Sequence, residues 1–135
     1  MSKAIYVSIN TTAVGKIINK IKNHEFRNYI PKREFNTLYV YTTSPKSELR
    51  YLLKIEKIIE YPNQITAKGD GNLEFNNGKK AKYAYKIKDI YELENSIPLK
   101  TLKEEYGFTP PQSYAYDDRY PELTRKLEQS IKIKR

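Results

Sequence analysis

The sequence predicts an α+β fold, a small and mostly antiparallel β-barrel with peripheral helices. Three observations predict it. The β-forming runs cluster in the middle of the chain, with no helical crossover between them. Helical periodicity is confined to one stretch near the start and to the last third. No segment repeats, and 135 residues suit one unit, so 1–135 reads as a single domain with its own core.

The elements follow in order. Residues 4–9, AIYVSI, are rich in β-formers and predict a first strand. Thr11 or Thr12 then offers a helix cap. Val14, Ile17, Ile18 and Ile21 recur at i, i+3, i+4 and i+7, so the helix has one apolar face and runs to about Asn23. Lys16 and Lys20 fall on its opposite, solvated face. HEFRNY, 24–29, is a short strand, broken by Pro31 and the charged residues after it. TLYVYTT, 37–43, is a near-continuous β run, as expected of a strand covered on both faces. SPKS turns the chain, and RYLLKIEKII, 50–59, is the next strand.

Residues 60–80 hold YPNQ, GDGN and NNGK, turn signals that predict a loop or a short hairpin. KYAYKIKDIY, 82–91, alternates, with Tyr83, Tyr85 and Ile87 expected inward and Lys82, Lys86 and Lys88 in solvent. Ser96 can cap a short helix with Pro98 in its first turn, Leu99, Leu102 and Tyr106 on one face and Gly107 as its stop. Pro110 and Pro111 exclude regular structure after it. Pro121 opens a last helix in which Leu123, Leu127 and Ile131 recur every four residues, and the basic tail, about 130–135, is expected to fray.

Composition narrows the function. The net charge is +9 and the pI is near 9.5, which favours polyanions as partners. Thirteen tyrosines, with no tryptophan, supply stacking surfaces for bases beside lysines for phosphates. Absence of cysteine excludes disulfides and thiolate zinc sites. No apolar run is long enough for a membrane helix, and MSKAIYVSIN lacks the apolar core of a signal peptide. The expectation is a soluble, cytoplasmic protein with no cofactor and no membrane partner.

The stretch KIKNHEFR, residues 20–27, gathers the candidate chemistry. Lys22 and Arg27 suit phosphate, the arginine through its planar fork, and Glu25 can accept from the exocyclic amine of a base. A purely structural ion cluster would use the same three residues. His24 is expected to be an exposed loop histidine, and a lone histidine without cysteine is a poor metal site. Thr42, Thr43 and Ser44 offer hydroxyls and backbone N–H groups to a phosphate, or form a plain turn before Pro45. GDGNLEFNNG lacks the spacing of a calcium loop and the strand-to-helix context of a dinucleotide fingerprint. Tyr114 and Tyr116 stack on a base or pack on the core, the core being favoured for one of them. Lys82, Lys86 and Lys88 form a solvated face or a stripe that tracks phosphates.

Several segments together resemble a known family. VSIN…GKIINKIKNHEFR resembles the opening of ASCH domains, a PUA-like group with an SI strand, a helix and a lysine-x-x-Glu/Thr-x-Arg motif. LYVYTTSP resembles the strand and turn that follow, and PLKTLKEEYGFTPPQSYAYDD resembles the end of a bacterial ASCH subgroup labelled as predicted transcriptional regulators. The resemblance covers most of the chain except residues 60–80. It implies a PUA-like barrel with a cleft for RNA or a nucleotide-like ligand. Lys22, Glu25 and Arg27 would line that cleft, Thr42, Thr43 and Ser44 would stand beside it, and Gln112 and Ser113 would close it. Asn10 stands where many members have proline, and Glu25 stands where relatives that hydrolyse acylated cytidine have threonine.

The leading expectation is therefore a module that binds RNA or a nucleotide through a basic cleft, with DNA as a further partner and a possible regulatory role. The first rival is a hydrolase of modified nucleosides, or a ribonuclease, with Lys22 and Glu25 catalytic. The second rival is a regulatory protein-interaction adaptor. No helix-turn-helix is evident, which counts against direct operator reading.

Overall fold

The computed structural model describes residues 3–135. One curled sheet organises them, with strands β1 (Ala4–Ile9), β2 (His24–Arg27), β3 (Thr37–Thr42), β4 (Glu48–Glu60), β5 (Tyr83–Pro98), β6 (Ala115–Tyr116) and β7 (Lys132–Lys134). Four helices accompany it: α1 (Thr11–Ile18), α2 (Asn72–Asn76), α3 (Leu99–Tyr106) and α4 (Pro121–Gln129). The strand order is β2-β5-β4-β3-β1-β6, with β7 added to β5. β1 and β3 run parallel and every other pair is antiparallel. This is the α+β, mostly antiparallel class that the sequence predicts, with the sheet curled into a half-barrel. Irregular register at Lys54/Ile55 and Ile55/Lys57 bends the long β4–β5 ribbon, as bulges do. No helix among the described residues is long and apolar enough to cross a membrane.

Alternation along the strands builds two cores. Ile5, Val7, Leu38, Val40, Leu53 and Tyr85 face the concave side, where α1 contributes Val14 and Ile17. Tyr6, Tyr39, Tyr41 and Leu52 face the other side, under Leu102 of α3 and Leu123 and Leu127 of α4. Every residue of β3 is buried, because it has a layer on each face. Each such aliphatic side chain contributes roughly 1.5–3 kcal/mol on burial. A hydrogen bond of 2.7 Å between Tyr6 Oη and Thr124 Oγ1 fixes α4 on the sheet.

The structure corrects several expectations. The N-cap of α1 is Asn10, whose Oδ1 accepts from Ala13 N at 2.8 Å, and not Thr11 or Thr12. α1 stops at Ile18 rather than near Asn23. Lys20 takes a left-handed φ of 64°, and the N–H groups of Ile21 and Lys22 both return to Lys16 O. Ile21 consequently leaves the apolar face and is exposed. Ser96 lies within β5, so α3 begins without a side-chain cap. Gly107 ends α3 in the left-handed conformation, as expected. Residues 60–80 contain α2, whose Phe75 packs with Ile65 and Ala84 in a small third core. Ala84 thus covers part of a strand face expected to be solvated throughout. The tail does not fray: β7 pairs with Tyr91–Leu93 of β5.

Candidate functional site

β2 divides its side chains between two environments. Glu25 and Arg27 sit opposite Tyr85 and Tyr83 of β5, on the concave face. His24 and Phe26 sit opposite Lys86 and Ala84, under the 60–80 segment.

On the concave face Glu25 is nearly enclosed and stands between two cations. Its Oε2 accepts from Arg27 Nη2 at 2.7 Å and from Arg27 Nε at 3.0 Å. Its Oε1 meets Lys22 Nζ at 3.0 Å as an ion pair without an aligned hydrogen bond. Arg27 Nη2 also donates to Ser8 O of β1 at 3.0 Å, and Nη1 donates to Tyr29 Oη at 3.2 Å. Four of the five guanidinium donors are then engaged. Burial opposes the Arg27 charge, but Glu25 and then Tyr29 outweigh it, so its pKa rises. Burial also raises the Tyr29 phenol, against the pull of Arg27.

The segment after the double proline joins this cluster. Tyr29 Oη donates to Ser113 O at 2.7 Å, and Ser8 Oγ donates to Pro111 O at 2.8 Å. Gln112 and Ser113 themselves are exposed at the rim. Tyr29 stacks on Tyr114 with centroids 5.1 Å apart, and Tyr114 meets Tyr116 edge-on at 5.2 Å. The Arg33 guanidinium lies 3.5 Å from the Tyr116 ring centre. Arg33 also grips Asp118 at 2.8 and 3.2 Å and holds that carboxyl below the usual range. Tyr114 and Tyr116 are both half-buried, so each offers one edge to solvent and neither is wholly core.

The Thr42–Ser44 turn approaches the same end of the barrel from the other flank. Thr43 N donates to Ile9 O at 3.0 Å, and Thr11 Oγ1 donates to Thr43 O at 3.2 Å. Ser44 is exposed. Thr42 Oγ1 is buried without a hydrogen-bond partner, on the wall of a cavity of about 340 Å³ between α1 and the β3–β4 turn. Thr11, Asn19, Lys46 and Arg50 share that wall; Lys22, Glu25 and Arg27 do not. Arg27, Pro111 and Thr43 each hydrogen-bond Ser8 or Ile9 of β1, and the charged trio does not share the cavity that Thr42 lines.

His24 is the clear correction. It is 2 % exposed rather than a solvated loop residue, and its Nδ1 is 2.7 Å from Asn23 Oδ1. Burial, and then Lys86 and Lys57, lower its pKa to about 4, so it is neutral at pH 7. Sequence reasoning missed Tyr29, Ser8 and Arg33 as members of the cluster. For Tyr29 a signal existed, since it is two residues beyond Arg27 and strand alternation puts it on the same face.

The curled sheet with its accompanying helices is a fold seen in solved structures of an ASCH protein. Solved structures of the ASCH protein of Zymomonas mobilis share it with a TM-score of 0.69 and 21% identity, covering 96% of this chain and 96% of that one. A serine-to-alanine and a tyrosine-to-phenylalanine variant of that protein match equally, at 21% and 22% identity, over 97% and 99% of their chains. At that identity the likeness shows the fold. No family model matches the sequence, and no curated protein matches it.

Proposed function

We propose that this chain binds RNA or a nucleotide-like ligand at the rim where β1, the end of β2 and the 111–116 segment meet. One observation carries the reading: half-buried tyrosines at 29, 114 and 116 form a continuous ladder flanked by the guanidinium groups of Arg27 and Arg33. Such rings receive bases, and adjacent cations receive phosphates. Lys22 adds an ammonium with donors left over from Glu25, and Gln112 and Ser113 add polar groups at the edge. The Thr42 cavity offers a neighbouring recess with a hydroxyl free to bond. Glu25 acts here by holding Lys22 and Arg27 in place.

Titration of a labelled single-stranded RNA, followed by anisotropy at two salt concentrations, tests this. Binding is expected to weaken linearly in log–log form as salt rises. Tyr114→Ala is expected to cost about 1–3 kcal/mol, the worth of one stacked base. No binding of RNA, DNA or nucleosides at low salt overturns the reading. The 3.0 Å contact of Lys22 with Glu25 supports a second reading, hydrolysis of a modified nucleoside or of RNA. Product formation that Glu25→Gln abolishes in a folded variant would establish it.

A further inference from the structure

On the sheet face opposite the trio lies a cavity of about 390 Å³, lined by Lys3, Asn36, Thr37, Lys54, Tyr91, Glu128 and Lys132 among others. Its charge is unbalanced: three ammonium groups face one carboxylate.

The two inner amines are positioned by neutral oxygens. Lys54 Nζ donates to Thr37 Oγ1 at 2.7 Å. Lys132 Nζ donates to Ser130 O at 2.9 Å and Glu128 O at 3.3 Å, at the C-terminal end of α4. Neither takes part in a salt bridge among the described residues. Each ammonium has three donors, so Lys54 keeps two and Lys132 keeps one. The relay continues. Thr37 Oγ1, having accepted from Lys54, donates to Asn36 Oδ1 at 2.9 Å. That orientation leaves the Asn36 amide nitrogen as a donor. Burial and then the nearby Lys54 charge lower the Lys132 pKa, against a smaller opposing pull from Glu128. Only Lys3 has a carboxylate partner, the exposed Glu34 at 3.1 Å.

We infer that this cavity is a second anion site, built from Lys54, Lys132, Lys3 and the Asn36 amide to hold a phosphoryl group. The group comes either from a free phosphorylated small molecule or from a nucleic-acid backbone. Donors from four side chains suit a tetrahedral oxyanion, and the Tyr91 ring forms one wall for whatever carries it.

The test uses the intact chain with ¹³C,¹⁵N-labelled lysines, which leaves every Nζ donor in place. Inorganic phosphate is titrated in, against sodium chloride at matched ionic strength. The Lys54 and Lys132 Cε–Hε signals are expected to shift and saturate with phosphate alone. K54Q is expected to weaken phosphate about tenfold or more, and K103Q, on exposed α3, to leave it unchanged. Two further arms separate the sources. If the backbone of RNA is the source, K54Q/K132Q lowers the salt slope of RNA binding by about 2. If a free nucleotide is the source, a nucleoside monophosphate binds tighter than phosphate and the RNA slope is unchanged. Shifts that follow the chloride control, without saturation, overturn the site; this readout on the unsubstituted chain does not depend on any variant folding. Tyr114→Ala leaves phosphate binding intact, so the rim and this cavity stand or fall separately.

Discussion

Glu25→Gln removes one charge and almost no volume. In the native fold the carboxylate stands between Lys22 and Arg27, whose side chains are 12 % and 14 % exposed. The substitution raises the local charge from +1 to +2 in a place where water can screen only part of it. An amide also turns a donor toward one side, so either the Lys22 ion pair or the Arg27 hydrogen bonds meet an N–H group instead of an oxygen. Removing one partner of a buried ion pair costs about 3–5 kcal/mol. A domain has about 5–15 kcal/mol in all. In urea, with a slope near 2 kcal/mol per molar, the midpoint is expected to fall by about 2 M. Replacing Lys22, Glu25 and Arg27 together by leucine or methionine is expected to recover most of that loss, because no uncompensated charge is left. Urea unfolding followed by circular dichroism measures both variants. A fall of less than about 0.5 M for Glu25→Gln would refute the reasoning, by showing that the trio is well solvated and does not hold β2 against β1.

The remaining predictions concern His24 and Gly107. In the unfolded chain His24 titrates near 6.5, while in the fold its pKa is about 4. Between those values the unfolded state binds more protons, so stability falls as pH drops from about 6.5 to 4 and levels off below. The loss reaches roughly 3 kcal/mol, His24→Phe removes it, and urea midpoints across pH 4–7 measure both. Gly107 has φ +62° and nothing within 4 Å of an added Cβ. Gly107→Ala therefore costs only the left-handed backbone, about 1–2 kcal/mol, read as a small drop in melting temperature; a neutral result would show that α3 re-ends elsewhere.

The strands of the middle of the chain were legible because their alternation reports directly on the two cores. Tyr83 and Tyr85 face the concave side, and unbroken TLYVYT is buried on both faces. Pro121 and Gly107 marked helix ends through local chemistry that tertiary structure left alone. What was not legible depended on distant partners. α2 is five residues long and stands by packing Phe75 on Ala84 and Phe26, which no local pattern reports. KIK at 132–134 has tail-like composition, yet β5 offers it an open edge, and Arg135 Nε pairs with Glu92 Oε1 at 2.7 Å. His24 looked exposed by composition, but alternation along β2 turns it under the 60–80 segment. The candidate trio was found as residues, and its mutual neutralisation was weighed there too. Its link to Ser8, Tyr29 and the 111–114 backbone required the curl of the sheet.

That curl ends in a seam. The free edge of β2 and the turn after it meet the β1–β6 side through side-chain donors, Arg27 to Ser8 O and Tyr29 to Ser113 O. Among the described residues no backbone–backbone hydrogen bond crosses it. A closed ladder must unzip to let anything through. This half-barrel can part along one line by rotamer changes, with every strand pair intact. The seam acts as a latch held by one arginine and one tyrosine, and the Tyr29 ring of the proposed base ladder is hung on the same latch.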